Sequence, residues 1–442
     1  MEKIIRTTGG SYKMKLNEII RNAAKMDGEQ AGVQEYWRTL LNYDESKVFY
    51  SNIPSLLEKE DGTRIATVSE WENFRRKEII RSYKTLMYGE LPGPPDEMGF
   101  EILNIRNDAL DNTAVRKEIR ITMGMKNGRR HHAILLLYLP KHVRTPVPSF
   151  FGLNFKGNHT VTDERDVLMT GTQNNLKDFL NEEMRGCHSH RFCFKDVIAR
   201  GYASATICYH DFFPDHRNGW DESIFQLFDD VTGHYGVHEK YSAIGAWSWG
   251  MSRAIDYLQS LPEINPEKIA LHGLSRIGKA VLWSGANDER CRIIISNESG
   301  CGGAKLGRRY FGEIYLTLIY AQPHWFIKPF RYFPGREDEL PFDQHFLLAL
   351  TAPRGLVVGS AEEDLWADPK GEFLSTGLTR DVYRLYGIEI PEYKELPAAG
   401  TTVVAPVSYH IRHGKHDQNK DDWDAYLMIA DQYLQKGGEK QE

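Results

Sequence analysis

From about residue 145 onward the chain alternates short apolar runs with amphipathic stretches, and this alternation constrains the fold more than any other feature. "PVPSFFGLNF" and "YASATICYHD" read as buried strands that run into loops. "AIGAWSWGMSRAIDYLQSLP" reads as a helix with Ile244, Trp247, Met251, Ile255 and Leu258 on one face. "EKIALHGLS" is a short strand and "IGKAVLWSGAND" a helix; "CRIIISNESG" and "PRGLVVGSAEED" are further buried-type strands. "APVSYHIRHGKHD" is the last strand. The helix "DDWDAYLMIADQYLQ" follows, with Trp423, Tyr426, Leu427, Ala430 and Leu434 facing inward. Strands alternating with helices predict an α/β three-layer sandwich, a mostly parallel sheet covered on both faces. Functional loops then belong at the carboxyl ends of the strands.

Upstream, "SEWENFRRKEIIRSYKTLMYG" carries a helix signal, with Ser69 and Glu72 as a capping box and Gly89 as the C-cap. "AVRKEIRITMG" and "HHAILLLYLP" read as strands. Residues 1–60 are polar and weakly patterned, and read as an extension packing on a single catalytic domain over 61–442.

A chain of 442 residues can bury a large core. Its net charge of −6, with basic and acidic residues interspersed, offers no basic stripe for nucleic acid. No apolar run approaches the ~20 residues of a membrane span. The five cysteines match no zinc spacing, and their odd number argues against a full disulfide framework, although a Cys187–Cys193 bridge is open. The first 20 residues lack the continuous apolar region of a signal peptide.

Within this frame "LHGLSRIGKA" stands out, because Ser275 lies where an apolar strand meets a helix. A nucleophile elbow needs small flanks, usually glycine two before and two after the serine. Here Gly273 satisfies the first, but Ile277 holds the second place and Gly278 comes one later. A serine also needs a histidine to take its proton and an acid to orient that histidine, in the chain order serine, acid, histidine. His416, in the loop after the last strand, suits the base; His410 and His413 read as structural. Two acids compete: Glu298 at the end of the strand after the serine's helix, and Asp364 at the end of the next, the more usual place. Spacing does not choose between them. The Arg276 backbone N–H is the expected oxyanion donor and its guanidinium a second positive group. The "GLNFKGNH" loop, 152–159, is a further candidate for the oxyanion site, and Lys279 at i+4 from Ser275 faces the same way.

"GLSRIGKA" and "SNESGCGG" together resemble the glucuronoyl esterases of carbohydrate esterase family 15, in their bacterial form. The likeness continues through "WSWGMSRAIDYL", "RRYFGE", "PFDQH", "SAEEDLWADPKGEF" and "GKHD", over about residues 65–435. Leu274 departs from the family's usual cysteine, which removes half of a disulfide found in fungal members. The resemblance implies an α/β-hydrolase fold with Ser275 as nucleophile, His416 as base, Glu298 as acid with Asp364 sharing or backing up that role, and Arg276 at the oxyanion. It implies uronate contacts from Lys279, Glu313 and Trp366; Gln322 joins them as a residue setting substrate choice. It implies hydrolysis, without metal or organic cofactor, of esters between 4-O-methyl-glucuronic acid on xylan and lignin alcohols. An acetyl xylan or feruloyl esterase on the same fold is the rival reading, and a non-catalytic carbohydrate-binding protein a more distant one. The polymeric substrate implies a secreted or periplasmic enzyme, against a cytoplasmic one acting on imported oligosaccharides; a monomer is expected.

Overall fold

The computed structural model describes residues 41–435 apart from 172–173, 229–230 and 232–236. Ten strands form one sheet: β1 (Glu97–Asp108), β2 (Ala114–Gly124), β3 (Arg130–Pro140), β4 (Val147–Asn154), β5 (Ala203–Cys208), β6 (Ile264–Leu274), β7 (Ile293–Asn297), β8 (Gly355–Ala361), β9 (Thr401–Val403) and β10 (Val407–Arg412). Their order is β1-β2-β3-β5-β4-β6-β7-β8-β10-β9. The run β5-β4-β6-β7-β8-β10 is parallel throughout. Antiparallel strands flank it on both sides. This is the α/β-hydrolase fold.

The helices that matter for the site are α1 (Arg76–Leu86), α2 (Ala243–Ser260), α3 (Arg276–Asn287), α4 (Tyr315–Ala321), α5 (Pro369–Leu378) and α6 (Lys420–Ala430). Side chains alternate along each central strand and so sort into two cores. Phe151, Leu271, Ile294, Leu356 and Val358 face the larger core, under α2 and α3. Phe150, Ala270, Ile293, Ile295 and Val357 face the other, under Trp423, Tyr426 and Leu427 of α6. The inner faces read from α2 and the last helix are buried as expected.

Four local readings are corrected. The capping box is Thr67 with Glu70, not Ser69 with Glu72: the first helical turn begins two residues earlier, so the threonine reaches the Glu70 N–H. α1 ends at Leu86, where the Met87 and Tyr88 N–H groups both reach the Tyr83 carbonyl; Gly89, at φ +84°, turns the chain beyond it. "YHD" leaves β5 as a 3-10 turn. The long edge strand β1 was not read because a register shift between Ile102 and Asn104 breaks its alternation, leaving Phe100, Ile102 and Ile105 exposed. All five cysteines are free thiols. Among the described residues no helix is long and apolar enough to cross a membrane. Residues 41–60 lie along 308–312, with Ser51 N–H donating to the Arg308 carbonyl and Leu56 in the larger core; residues 1–40 lie outside the described residues.

Trp423 binds the last helix to the sheet. It is fully buried, meets the rings of Phe150 and His272 edge-on, and donates its indole N–H to the Arg191 carbonyl at 2.9 Å. Trp423→Ala removes both packing and hydrogen bond, and is expected to destabilise the fold by about 3–5 kcal/mol. Urea unfolding checks this as a lowered midpoint at unchanged slope.

Candidate active site

Ser275 joins β6 to α3 with φ +59° and ψ −127°, a strained conformation for a residue with a side chain. The turn holds it there. The Ser275 N–H donates to the Asn297 carbonyl at 2.8 Å, and the Ser275 carbonyl accepts the first bond of α3 from Lys279 N–H. A Cβ on Gly273 would sit 2.7 Å from the Ile277 side chain and 2.8 Å from its carbonyl carbon. A Cβ on Gly278 would sit 2.9 Å from the Gly273 carbonyl oxygen and 3.0 Å from Ser299. The irregular spacing is thereby explained. Ile277 turns into the core, and the close approach that demands a second glycine falls at Gly278 instead. Gly273→Ala is expected to cost about 1–3 kcal/mol by overpacking, and to lower esterase activity with it. Thermal unfolding and turnover measured on the same preparation check this.

His416 follows β10 and turns its Nδ1 toward two carboxylates. Asp364, beyond β8, lies at 2.6 Å, and Glu298, beyond β7, at 3.3 Å. Glu298 is also held by Arg412, whose Nη2 donates to its Oε1 at 2.6 Å, and by the Asp417 N–H at 3.2 Å on Oε2. The shorter bond to His416 therefore belongs to Asp364, while Glu298 is shared between the imidazole and a buried guanidinium. Burial alone would lower the His416 pKa, but hydrogen bonds to Asp364 and Glu298 outweigh it and raise the pKa to about 9. Burial pushes the Glu298 carboxyl up, against the opposing pull of His416 and Arg412. Glu298, Asp364 and His416 are the one group of ligand-type side chains among the described residues close enough to grip a metal ion. Their facing atoms are already joined as a hydrogen-bonded acid–histidine set.

All nine residues singled out in the sequence line one cavity of about 300 Å³: Ser275, Arg276, Lys279, Glu298, Glu313, Gln322, Asp364, Trp366 and His416. Lys279 is buried and donates from Nζ to the Ser299 carbonyl at 2.6 Å, which leaves an ammonium two further N–H donors. Glu313 is buried in the cavity wall, its backbone N–H bound to the Trp366 carbonyl at 2.9 Å. Burial pushes its carboxyl up despite the nearby Lys279 and Lys305 charges. The loop after β4 lies at the carboxyl end of the strand beside β6. It is fixed by Asn154, whose Oδ1 accepts the Gly157 N–H at 2.8 Å.

Arg276 is more firmly held than a surface ion pair. Its Nη1 donates to the buried Asp215 at 2.5 Å, and its guanidinium lies over the Trp325 ring at 4.8 Å. Sequence reasoning missed Asp215, Trp325 and Arg412. Asp215 carries no motif. Trp325 stands three residues after Gln322, and Arg412 inside an apolar strand is itself a sign of a buried ionic partner. His410 and His413 are structural as read: His410 bonds Thr402 beneath β9, and His413 pairs with Glu362 on the surface.

Residues 226–387 match the family model for glucuronyl esterase of fungi. Carbohydrate esterase MZ0003, from an unknown prokaryotic organism, is 38% identical over 408 residues, which cover 90% of this chain and 93% of that protein. The solved structure of a promiscuous CE15 esterase from the marine bacterial metagenome superposes with a TM-score of 0.80 at 38% identity, over 89% of this chain and 100% of the other. The chain belongs to carbohydrate esterase family 15. The glucuronoyl esterase of Solibacter usitatus is similar at 37% identity and TM-score 0.80, over 87% and 99% of the two chains. The 4-O-methyl-glucuronoyl methylesterase of Schizophyllum commune shares 34% identity over 171 residues, 37% of this family 15 esterase and 43% of the fungal protein. The family 15 esterase is thus a carboxylic ester hydrolase, with the elbow serine and acid–histidine set in one cavity.

Proposed function

We propose that this esterase hydrolyses esters of a uronic acid, 4-O-methyl-glucuronic acid carried on xylan, releasing an alcohol such as those of lignin. One observation carries the reading. The elbow serine shares its cavity with a wall of Lys279, Glu313, Gln322 and Trp366, a set of charged, amide and aromatic groups suited to a hydroxyl-rich ring. Relatives named for glucuronoyl ester cleavage support it.

Ser275 attacks the C6 carbonyl of the uronate as His416 takes its proton. The oxyanion develops against the Arg276 guanidinium and the backbone N–H of the elbow; no residue of the 152–159 loop lines the cavity, and the Gly157 and Asn158 N–H groups are bound to Asn154 and Thr170. His416 returns the proton to the departing alcohol. Water, activated by the same histidine, then frees the uronate from Ser275. Asp364 is the principal acid, because it makes the shorter bond to Nδ1. Glu298, tied to Arg412, is the second. The scheme draws on these side chains, the elbow backbone and water. Residues 61–442 act as the catalytic domain with 1–60 as an extension, and the polymeric substrate places a monomeric enzyme outside the cytoplasm.

The test is hydrolysis of benzyl glucuronate. Ser275→Ala is expected to lower kcat by ~10⁴-fold or more. Asp364→Ala is expected to lose about 10²-fold or more and Glu298→Ala distinctly less; the reverse order gives the triad to Glu298. An acetyl ester run alongside tests the second reading, an acetyl xylan or feruloyl esterase, which the promiscuity of the 38% identical marine relative favours. A preference for the acetyl ester overturns the uronate assignment.

The base must be neutral to act, so kcat/KM is expected to rise with pH through the His416 ionisation, raised to about 9 in the free enzyme. Asp364→Asn removes a carboxylate that favours the imidazolium. Its pH–rate profile should therefore shift its acid limb to lower pH as its plateau falls.

A further inference from the structure

We propose that Asp215 is a positioning residue for the esterase reaction, holding the Arg276 guanidinium in its oxyanion-facing place. This rests on the reading of Arg276 given above. Asp215 lies in the loop after β5, with its side chain 3% exposed. Four donors from three separate segments of the chain converge on its two oxygens. Oδ2 accepts from Arg276 Nη1 at 2.5 Å and from the Tyr209 hydroxyl at 2.6 Å. Oδ1 accepts from Trp325 Nε1 at 2.7 Å and from His324 Nε2 at 2.8 Å. The Asp215 N–H in turn donates to His210 Nδ1 at 3.1 Å.

Every side-chain partner is a donor, so only a carboxylate satisfies the site; an amide would turn an N–H₂ toward at least one of them. The arginine gains more than neutralisation. A long, many-rotamer side chain at the first position of α3 is pinned between the carboxylate and the Trp325 ring, while Asp215 takes Nη1 alone. The Arg276 Nε–H has no partner of its own. Ordering the guanidinium before substrate arrives removes that cost from the chemical step. The same carboxylate fixes Trp325, so the cavity wall and the oxyanion group are set by one anchor. Burial alone would raise the Asp215 pKa, but the Arg276 charge and the His324 and Tyr209 hydrogen bonds hold it well below the usual carboxylate range.

The experiment is a double-mutant cycle in the full chain, with benzyl glucuronate kinetics and thermal unfolding of every variant. Asp215→Asn is expected to lower kcat by about 10- to 100-fold, the range of a hydrogen bond to a charged group, while any loosening of the Trp325 wall raises KM alone, in both arginine backgrounds. In an Arg276→Ala background the same substitution is expected to change kcat by less than about 2-fold. Tyr209→Phe removes one donor to Oδ2 without opening a charge. It is expected to cost a smaller factor that likewise vanishes without Arg276, which keeps the test open if Asp215→Asn folds poorly. Equal losses in both backgrounds, or losses that track the folded fraction alone, overturn the proposal. A normal kcat in Arg276→Ala instead removes the oxyanion reading of the arginine, and the Asp215 proposal falls with it. A crippled Arg276→Ala with additive Asp215→Asn sinks Asp215 only.

Discussion

The site depends on a backbone that is bent the wrong way. At φ +59° Ser275 occupies a conformation that costs about 1–3 kcal/mol for a residue with a side chain, and the surroundings must over-determine it. They do so by close contact and by one hydrogen bond. Gly273 and Gly278 let the end of β6 and the start of α3 come together without an intervening methyl group, and the Asn297 carbonyl anchors the Ser275 N–H from the next strand. Because β7 supplies both that carbonyl and, one residue on, Glu298, the strand that restrains the nucleophile also brings an acid to the histidine. Glu298 itself has a positive φ, +44°, so two adjacent strand ends carry strain at the same edge.

Charge is the second constraint. The cavity brings two cations, Arg276 and Lys279, to where a carboxylic ester would lie, and the product of such an ester is itself an anion. Each cation has a buried acid nearby, Asp215 for the arginine and Glu313 for the lysine. Burial lowers the Lys279 pKa, with Glu313 opposing the shift. The pairing offers fixed donors to a developing oxyanion while each cation keeps an acid beside it.

The parallel core was legible because its strands are buried on both faces, so their apolar runs are continuous and bounded by loops. β2 read correctly from its alternation and β3 from its apolar run. β1 did not, since its bulge at Ile102–Asn104 breaks the period and its apolar groups are exposed. The capping box slipped by two residues because two overlapping S/T-x-x-E patterns precede one helix, and only backbone geometry selects Thr67. At the site, the serine, histidine and both acids were readable because each stands at a strand end in the right chain order. Asp215 and Trp325 were not: their roles come from long-range convergence on Arg276, and neither spacing nor composition encodes that. The choice between Glu298 and Asp364 was equally invisible, because it turns on Arg412, a residue of β10 far away in sequence.

Arg412 also links parts of the fold that are usually thought of separately. Its guanidinium binds Glu298 from β7, Asp422 in the first turn of α6, and the carbonyls of Lys415 and Asp417 on either side of His416. The base loop and α6 are therefore fastened through one side chain. Whatever parts Arg412 from Asp422 also frees the loop that carries His416, so the proton relay rests on the packing of α6 as well as on its own acids.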